Sequence, residues 1–245
     1  NISNGINNSI DIDDALNSSG VINIFLGKDL REAGIKDMPT NFKAKNKDDS
    51  DMYTPERSAI AIDKVRHVGD PIAIIIAESI EQAKNASELI FADIEEIASV
   101  TSCKEAIKDD SPQVWENTKN NLCFDWEMGE KDKVEDAFKK ANSIVEIELI
   151  NNRIVPNSME TRGAVANYNN EDGRYELRCS SQGVHSLRDR ISNVLNIEPN
   201  EIRVITTDVG GGFGMKIFNY PEYICSLFAS KTVGRPVKWV SDRSE

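Results

Sequence analysis

The segment of this chain richest in chemical possibility is Asp-Val-Gly-Gly-Gly-Phe-Gly-Met-Lys at residues 208–216, with four glycines in five positions. Glycine lets backbone approach a ligand closely and leaves successive amide hydrogens free for an anion. The same run serves equally well as a tight turn without a ligand. It is not a Walker-type phosphate loop, because Gly-Lys-Ser/Thr is missing, and Met215 stands where a dinucleotide fingerprint needs its third glycine. Two more clusters carry polar chemistry: Met159-Glu160-Thr161-Arg162-Gly163 and Ser181-Gln182-Gly183-Val184-His185-Ser186-Leu187-Arg188. Gln182 could present its amide to a ligand or, with His185, satisfy backbone groups at a helix start. Glu160 and Arg162 read as a structural ion pair more readily than as catalytic groups.

The elements that must hold these clusters are legible from apolar spacing. The turn Gly69-Asp70-Pro71 precedes a β-branched run at 72–77, which predicts a buried strand. Ser79 then caps a helix, with Gln82 reaching back and Ile80, Ala83, Ala86 or Ser87, and Ile90 on one face. Alternation of Ile90, Ala92 and Ile94 predicts another strand, and the three elements together read as a βαβ unit. Residues 41–51 are polar and read as an exposed loop. Residues 108–121 lack apolar periodicity, which places a domain boundary there. Beyond it, Asp132 is expected to cap a short helix with Val134, Ala137, Phe138 and Ala141 on one face, followed by a strand in which Val145, Ile147 and Leu149 alternate. Tyr175, Leu177 and Cys179 mark another strand, Val184, Leu187, Ile191, Val194 and Leu195 a helix, and Ile202, Val204 and Thr206 the strand that feeds the glycine run. Pro221 opens the last helix and Gly234 closes it. Strands and helices mix in both halves, so the architecture is α/β or α+β, and α+β is the expected class.

Composition narrows the functional classes. With 245 residues, 39% hydrophobic and 29% charged, the chain is an ordinary globular one with room for one large or two ordinary domains. Its 41 acidic and 29 basic residues give a net charge of -12, which argues against nucleic acid and anionic membrane surfaces as partners. The longest apolar run is far short of the roughly 20 residues that span a bilayer. Cys103, Cys123, Cys179 and Cys225 lie singly, without the close pairs of zinc, redox or iron-sulfur motifs, and are expected to be reduced, mostly buried thiols. His67 and His185 are too far apart for a local metal site, and Asp11, Asp13 and Asp14 lack the glycine and distal glutamate of a calcium loop. The chain begins at Asn1 and ends at Glu245 just after an expected strand, and it is expected to be a piece of something longer.

In their order and spacing, Met-Glu-Thr-Arg-Gly, Ser-Gln-Gly-Val-His-Ser-Leu-Arg and Asp-Val-Gly-Gly-Gly-Phe-Gly-Met-Lys resemble the molybdenum-binding subunit of the xanthine dehydrogenase, aldehyde oxidase and carbon monoxide dehydrogenase family. Upstream, Lys-Val-Arg-His-Val-Gly-Asp-Pro-Ile-Ala-Ile-Ile-Ile-Ala at 64–77 is similar to that family's hammerhead domain, and residues 83–97 continue the match. The resemblance covers nearly the whole chain. One departure is Thr161, where most members carry proline; it touches no expected ligand.

The resemblance implies a hammerhead α/β domain at 1–115, missing its first strands, and the beginning of a molybdenum-cofactor domain at 120–245. It implies a molybdopterin-dependent oxidoreductase that oxidises an aldehyde, an N-heterocycle or carbon monoxide with oxygen from water. Gln182 matches the glutamine whose amide hydrogen-bonds an oxo ligand of molybdenum. Gly211, Gly212, Phe213 and Gly214 match the loop against the pterin and the metal's oxo face, so Gln182 and Phe213 stand beside the metal without coordinating it. The catalytic glutamate of the family would lie beyond Glu245, so no catalytic base is assigned here. The cofactor implied is molybdenum with molybdopterin, in its cytosine dinucleotide form for a bacterial source, with no iron-sulfur cluster or flavin in this chain. Partners implied are an iron-sulfur subunit, an FAD subunit and a small-molecule substrate in a cytoplasmic hetero-oligomer. Ile217 stands where purine-oxidising members carry glutamate, so purines are expected to be poor substrates. A copper-binding cysteine loop, needed for carbon monoxide, would lie outside these residues. The alternative is a noncatalytic binding or assembly module, with the glycine run only a turn.

Overall fold

The computed structural model describes residues 2–40 and 42–244. The first half holds five strands, β1 (Gly5–Asp11), β2 (Val21–Leu26), β3 (Lys64–Val65), β4 (Ala73–Ala77) and β5 (Phe91–Glu96), with helices α1 (Asp13–Leu16), α2 (Gly27–Glu32) and α3 (Ile80–Ser87) between them. Short helix α4 (Cys103–Ala106) and helix α5 (Lys131–Lys140) lie in the middle. The second half runs β6 (Gly163–Asn169), β7 (Arg174–Cys179), α6 (Val184–Leu195), β8 (Ile202–Ile205), α7 (Pro221–Val233) and β9 (Val237–Val240). This is an α+β fold. Among the described residues, no helix is long and apolar enough to cross a membrane.

The first half departs from the expected βαβ unit. The run at 72–77 forms β4, but β4 pairs antiparallel with β2, while β5 pairs antiparallel with β1 in a separate sheet of order β3-β1-β5. Helix α3 therefore crosses between two sheets. Strands β1 and β2 offer long antiparallel partners, with register from Gly5↔Glu96 to Asp11↔Phe91 and from Val21↔Ala77 to Leu26↔Ala73. Pairing of that kind is invisible to local periodicity. Ser79 does cap α3, accepting from the Gln82 amide at 3.3 Å. The Gln82 side chain, however, packs under Gly20 instead of reaching back, and Ile80 faces solvent.

The second half carries the sheet that positions the site, of order β8-β7-β6-β9. In β7, Tyr175, Leu177 and Cys179 point inward while Arg174, Glu176 and Arg178 point away. Strands β7 and β8 run parallel, with Leu177 opposite Val204, and α6 crosses over between them. Leu187, Ile191, Val194 and Leu195 form the buried face of α6. Helix α7 is buried along most of its length and lies on β6 through the small residues Ala164 and Ala166. Pro221 stands at its start, where a missing N–H costs nothing, and Gly234 ends it at φ 67°. The main core joins both halves: Phe25 meets Phe228 edge-on with centroids 5.0 Å apart, and Leu30 and Met38 share the core with Leu177 and Leu187. Full burial of Leu or Ile side chains such as these contributes about 1.5–3 kcal/mol each.

Between the halves the expectations fare less well. Helix α5 forms from Lys131, with Glu130 and not Asp132 at its cap, and its apolar residues Val134 and Phe138 are exposed. The stretch carrying Val145, Ile147 and Leu149 is not a strand, and all three side chains face solvent, Val145 at 87% exposure. No described strand lies alongside to pair with it, and a strand alone gains neither ladder nor packing. Residues 42–51 form the polar loop, tied by a Lys45–Asp51 bridge, while residue 41 lies outside the described residues. Cys179 and Cys225 are buried, as the composition implies, but Cys103 and Cys123 are exposed, because they lie in the thinly packed middle stretch.

Candidate active site

Parallel strands joined by a crossover helix bring their carboxyl ends, and the loops leaving them, to one side of the sheet. Strand β7 leads through Ser180, Ser181 and Gln182 to α6, and β8 leads into the glycine run, which ends in a short 3-10 turn at Met215–Ile217. Thr206 Oγ1 donates to Cys179 O at 2.9 Å and ties the two strand ends together. Gln182 and Gly214, 32 residues apart in sequence, are thus neighbours.

Their contact is specific. Gln182 Oε1 accepts the amide hydrogens of Gly214 at 3.0 Å and Lys216 at 3.2 Å, and the Gln182 backbone N–H donates to Lys216 O at 3.1 Å. Two backbone donors on one oxygen fix the side-chain amide, since only the carbonyl end can accept them. The Nε2 hydrogens consequently face away from the loop. Gln182 does not serve the helix start; Ser181 Oγ accepts from Gly183 there instead, and His185 is exposed on α6.

The glycines differ in what they do. A Cβ on Gly212 would stand 2.5 Å from Gln182 Oε1, so the loop lies against the glutamine only because that atom is missing. Gly211 and Gly214 adopt φ values of 100° and 87°, and a Cβ on Gly214 would meet nothing within 4 Å. Phe213, just before Gly214, is held at φ 51° and is 76% exposed. A bulky residue in that conformation is strained, and such strain clusters where a ligand is presented.

The Met159–Gly163 cluster lies alongside. Glu160 and Arg162, two positions apart, do not pair with each other but with different neighbours. Glu160 binds Lys216 at 2.6 Å, and Arg162 binds Glu222 at 2.8 Å while its guanidinium stacks over Tyr220 at 4.1 Å. Tyr220 in turn donates to Met215 O, which anchors the turn after the glycines. The hydrogen bond from the Lys216 ammonium holds the Glu160 carboxyl below the usual carboxylate range, helped by the Gly210 amide and the Ser180 hydroxyl against the opposing effect of burial. Burial alone pushes the Cys179 thiol up to about 12, which leaves it an inert core residue.

Several supports had no signal in the sequence. Ser158 is buried, donates to Glu160 O at 2.7 Å and packs 3.0 Å from the position of a Gly211 Cβ. Arg243 donates to the carbonyls of Ser158 and Met159. Asn219 is buried close behind the loop with both amide atoms lacking hydrogen-bond partners. Ser158 and Arg243 act through contacts distant in sequence, which no local motif reveals. Among the described residues, no three His, Cys, Asp or Glu side chains gather as a metal site.

The residues fit a bulky anionic cofactor at the open side of this loop. Gly214 leaves space, the chain at 210–214 carries one side chain, that of Phe213, and Gln182 has its oxygen taken by loop amides, which leaves its Nε2 donors for a ligand. Two family models match the chain: the molybdopterin cofactor-binding domain over residues 114–245, and the hammerhead domain of aldehyde oxidase and xanthine dehydrogenase over residues 2–97. The carbon monoxide dehydrogenase large chain of Hydrogenophaga pseudoflava is 30% identical over 256 aligned positions, covering 100% of this chain and 30% of its own length. The nicotine 6-hydroxylase large subunit of Paenarthrobacter nicotinovorans is 33% identical over 76% of this chain and 22% of its own. Among solved structures, CO dehydrogenase from Oligotropha carboxidovorans superposes with a TM-score of 0.88 at 27% identity, over 98% of this chain and 30% of that one. The chain thus spans about 30% of the length of those carbon monoxide dehydrogenase relatives. On these matches and this geometry, the chain belongs to the molybdopterin-binding large subunits of the xanthine dehydrogenase, aldehyde oxidase and carbon monoxide dehydrogenase family.

Proposed function

We propose that the protein containing this chain is a molybdenum hydroxylase that oxidises an aldehyde, an N-heterocycle or carbon monoxide. The observation that carries this reading is the fixed Gln182 amide, held by Gly214 and Lys216 with its donors turned outward. Molybdenum with molybdopterin, in the cytosine dinucleotide form, would supply the two-electron oxidation and the oxygen taken from water. Gln182 would hold it by donating to an oxygen on the metal. Gly211, Gly212 and Gly214 would admit the pterin against main chain, and the exposed Phe213 ring would border the same space. Neither Gln182 nor Phe213 would coordinate the metal.

Electrons would leave through an iron-sulfur subunit and an FAD subunit in a cytoplasmic hetero-oligomer. Multi-subunit relatives, such as the carbon monoxide dehydrogenase large chains, support that assembly. We place the hammerhead domain at 1–115 and the cofactor domain at 120–245, with the catalytic base outside both. The test is Gln182→Ala in the complete enzyme, with molybdenum measured by elemental analysis alongside turnover. One hydrogen bond to a charged centre is worth roughly 1.5–3 kcal/mol. Turnover should fall about 10- to 100-fold while molybdenum is retained; unchanged turnover at full occupancy would show that Gln182 faces elsewhere.

A further inference from the structure

One carboxylate grips the glycine loop at both ends. Glu160 Oε2 accepts the Gly210 amide at 2.9 Å, where the loop begins, and the Lys216 ammonium at 2.6 Å, where it ends. The Glu160 amide donates back to Gly210 O at 3.2 Å, and a Cβ on Gly210 would lie 2.5 Å from that of Glu160. Lys216 is also the residue that meets Gln182 through both its amide and its carbonyl. A path of direct contacts therefore runs from Glu160 through Lys216 to the Gln182 amide.

The pair is lopsided in burial. The Lys216 side chain is 0% exposed and has no surface to offer a ligand, whereas the Glu160 side chain is 41% exposed. Removing the carboxylate strands an ammonium in the interior, while removing the lysine leaves a carboxylate that water still reaches. Loss of Glu160 should therefore do more harm than loss of Lys216, and removal of both should relieve part of that harm.

We propose that Glu160 is a positioning residue, which sets the span of the glycine loop through Gly210 and Lys216 and so aims the Gln182 amide. The proposal rests on the reading of Gln182 and this loop as the cofactor-facing surface.

The test compares Glu160→Ala, Glu160→Gln, Lys216→Met and the double variant Glu160→Ala/Lys216→Met in the complete enzyme. Molybdenum content, melting temperature, kcat, KM and the paramagnetic spectrum of the metal are read for each. Glu160→Ala should lower the melting temperature by about 5 °C or more, and Lys216→Met by less than half as much. The double variant should regain most of that stability yet keep a kcat at least ~10-fold down and an altered spectrum, with KM little changed. Glu160→Gln, which can still accept a hydrogen bond, should recover part of kcat. If Glu160→Ala does not fold, the double variant carries the comparison. Recovery of wild-type kcat and spectrum in the double variant makes the pair merely structural and overturns the proposal. Absence of molybdenum from the wild-type enzyme would instead overturn the proposed function, and the asymmetry in melting temperature would still decide whether Glu160 clamps the loop.

Discussion

Gly212 lies so close to Gln182 that a methyl group on its Cα would stand 2.5 Å from the glutamine's Oε1. Backbone and side chain there are fitted to each other, and the two amides that orient Gln182 come from the same loop. Gly214 is the contrast. Its difficulty is conformational, at φ 87°, and its free side is open.

Gly212→Ala should accordingly displace the Gln182 side chain and lower turnover by roughly the worth of its hydrogen bond, about 10-fold or more. Gly214→Ala should act through backbone strain of about 1–2 kcal/mol, lowering the melting temperature with a smaller change in turnover. Gly214→Leu, which fills the open side, should lose molybdenum. Parallel measurement of metal content, melting and turnover separates the three, and full metal occupancy in Gly214→Leu would count against a cofactor on that side.

Much of this geometry is legible in the sequence, and for a physical reason. Residues 174–234 form strand, helix, strand, loop and helix from strong local patterns, and a parallel pair joined by a crossover has few alternatives. The proximity of Gln182 to the glycine run follows. What the sequence hid is nonlocal: the pairing of β4 with β2, the partnership of Glu160 with Lys216 rather than Arg162, and the supports from Ser158 and Arg243. The alternation at Val145, Ile147 and Leu149 shows the same limit, since alternation signals a strand only if another strand is there to receive it.

The Glu160 carboxyl gives a pH signature. Its pKa is lowered in the folded state from an ordinary value of 4.5, first by the Lys216 hydrogen bond. A depressed folded-state pKa adds stability that is present above the unfolded value and is lost as pH falls through the folded one. Wild-type melting temperature should therefore drop more steeply than that of Glu160→Gln as pH is lowered from above 4.5 into the acid range. The two curves should converge at the acid end; parallel curves down to the lowest pH studied would mean that the Lys216 contact does not favour the ionised form.

For the proposed hydroxylase, poor turnover of purines is expected from Ile217. It ends the turn after Lys216, is 40% exposed, and its carbonyl accepts from Arg190 at 3.0 Å, which fixes the local backbone. An aliphatic side chain gives only van der Waals contact, and each purine nitrogen or carbonyl left unpaired beside it costs about 1–3 kcal/mol. Steady-state kcat/KM of the complete enzyme should be lower for xanthine and hypoxanthine than for the best of a panel of aldehydes and N-heterocycles. Ile217→Glu should narrow the gap. A highest specificity constant for xanthine in the wild type would falsify this reading.

The last prediction concerns the exposed apolar stretch. Val145, Ile147, Leu149, Ile150, Ile154 and Val155 are each at least 69% exposed, and Val134 and Phe138 on α5 are more than half exposed. Monomeric proteins rarely leave a large contiguous apolar patch uncovered, so the 245-residue chain by itself should bind a hydrophobic dye and self-associate as its concentration rises. Since these side chains contribute little burial here, Val145→Lys with Leu149→Lys should reduce dye binding and association. The melting temperature should stay within a degree or two, because surface substitutions away from packed features change stability by about 0.5 kcal/mol or less. A large fall in melting temperature would show that the stretch packs against the chain's own core, and with it that the alternation at 145–149 marks a buried strand after all.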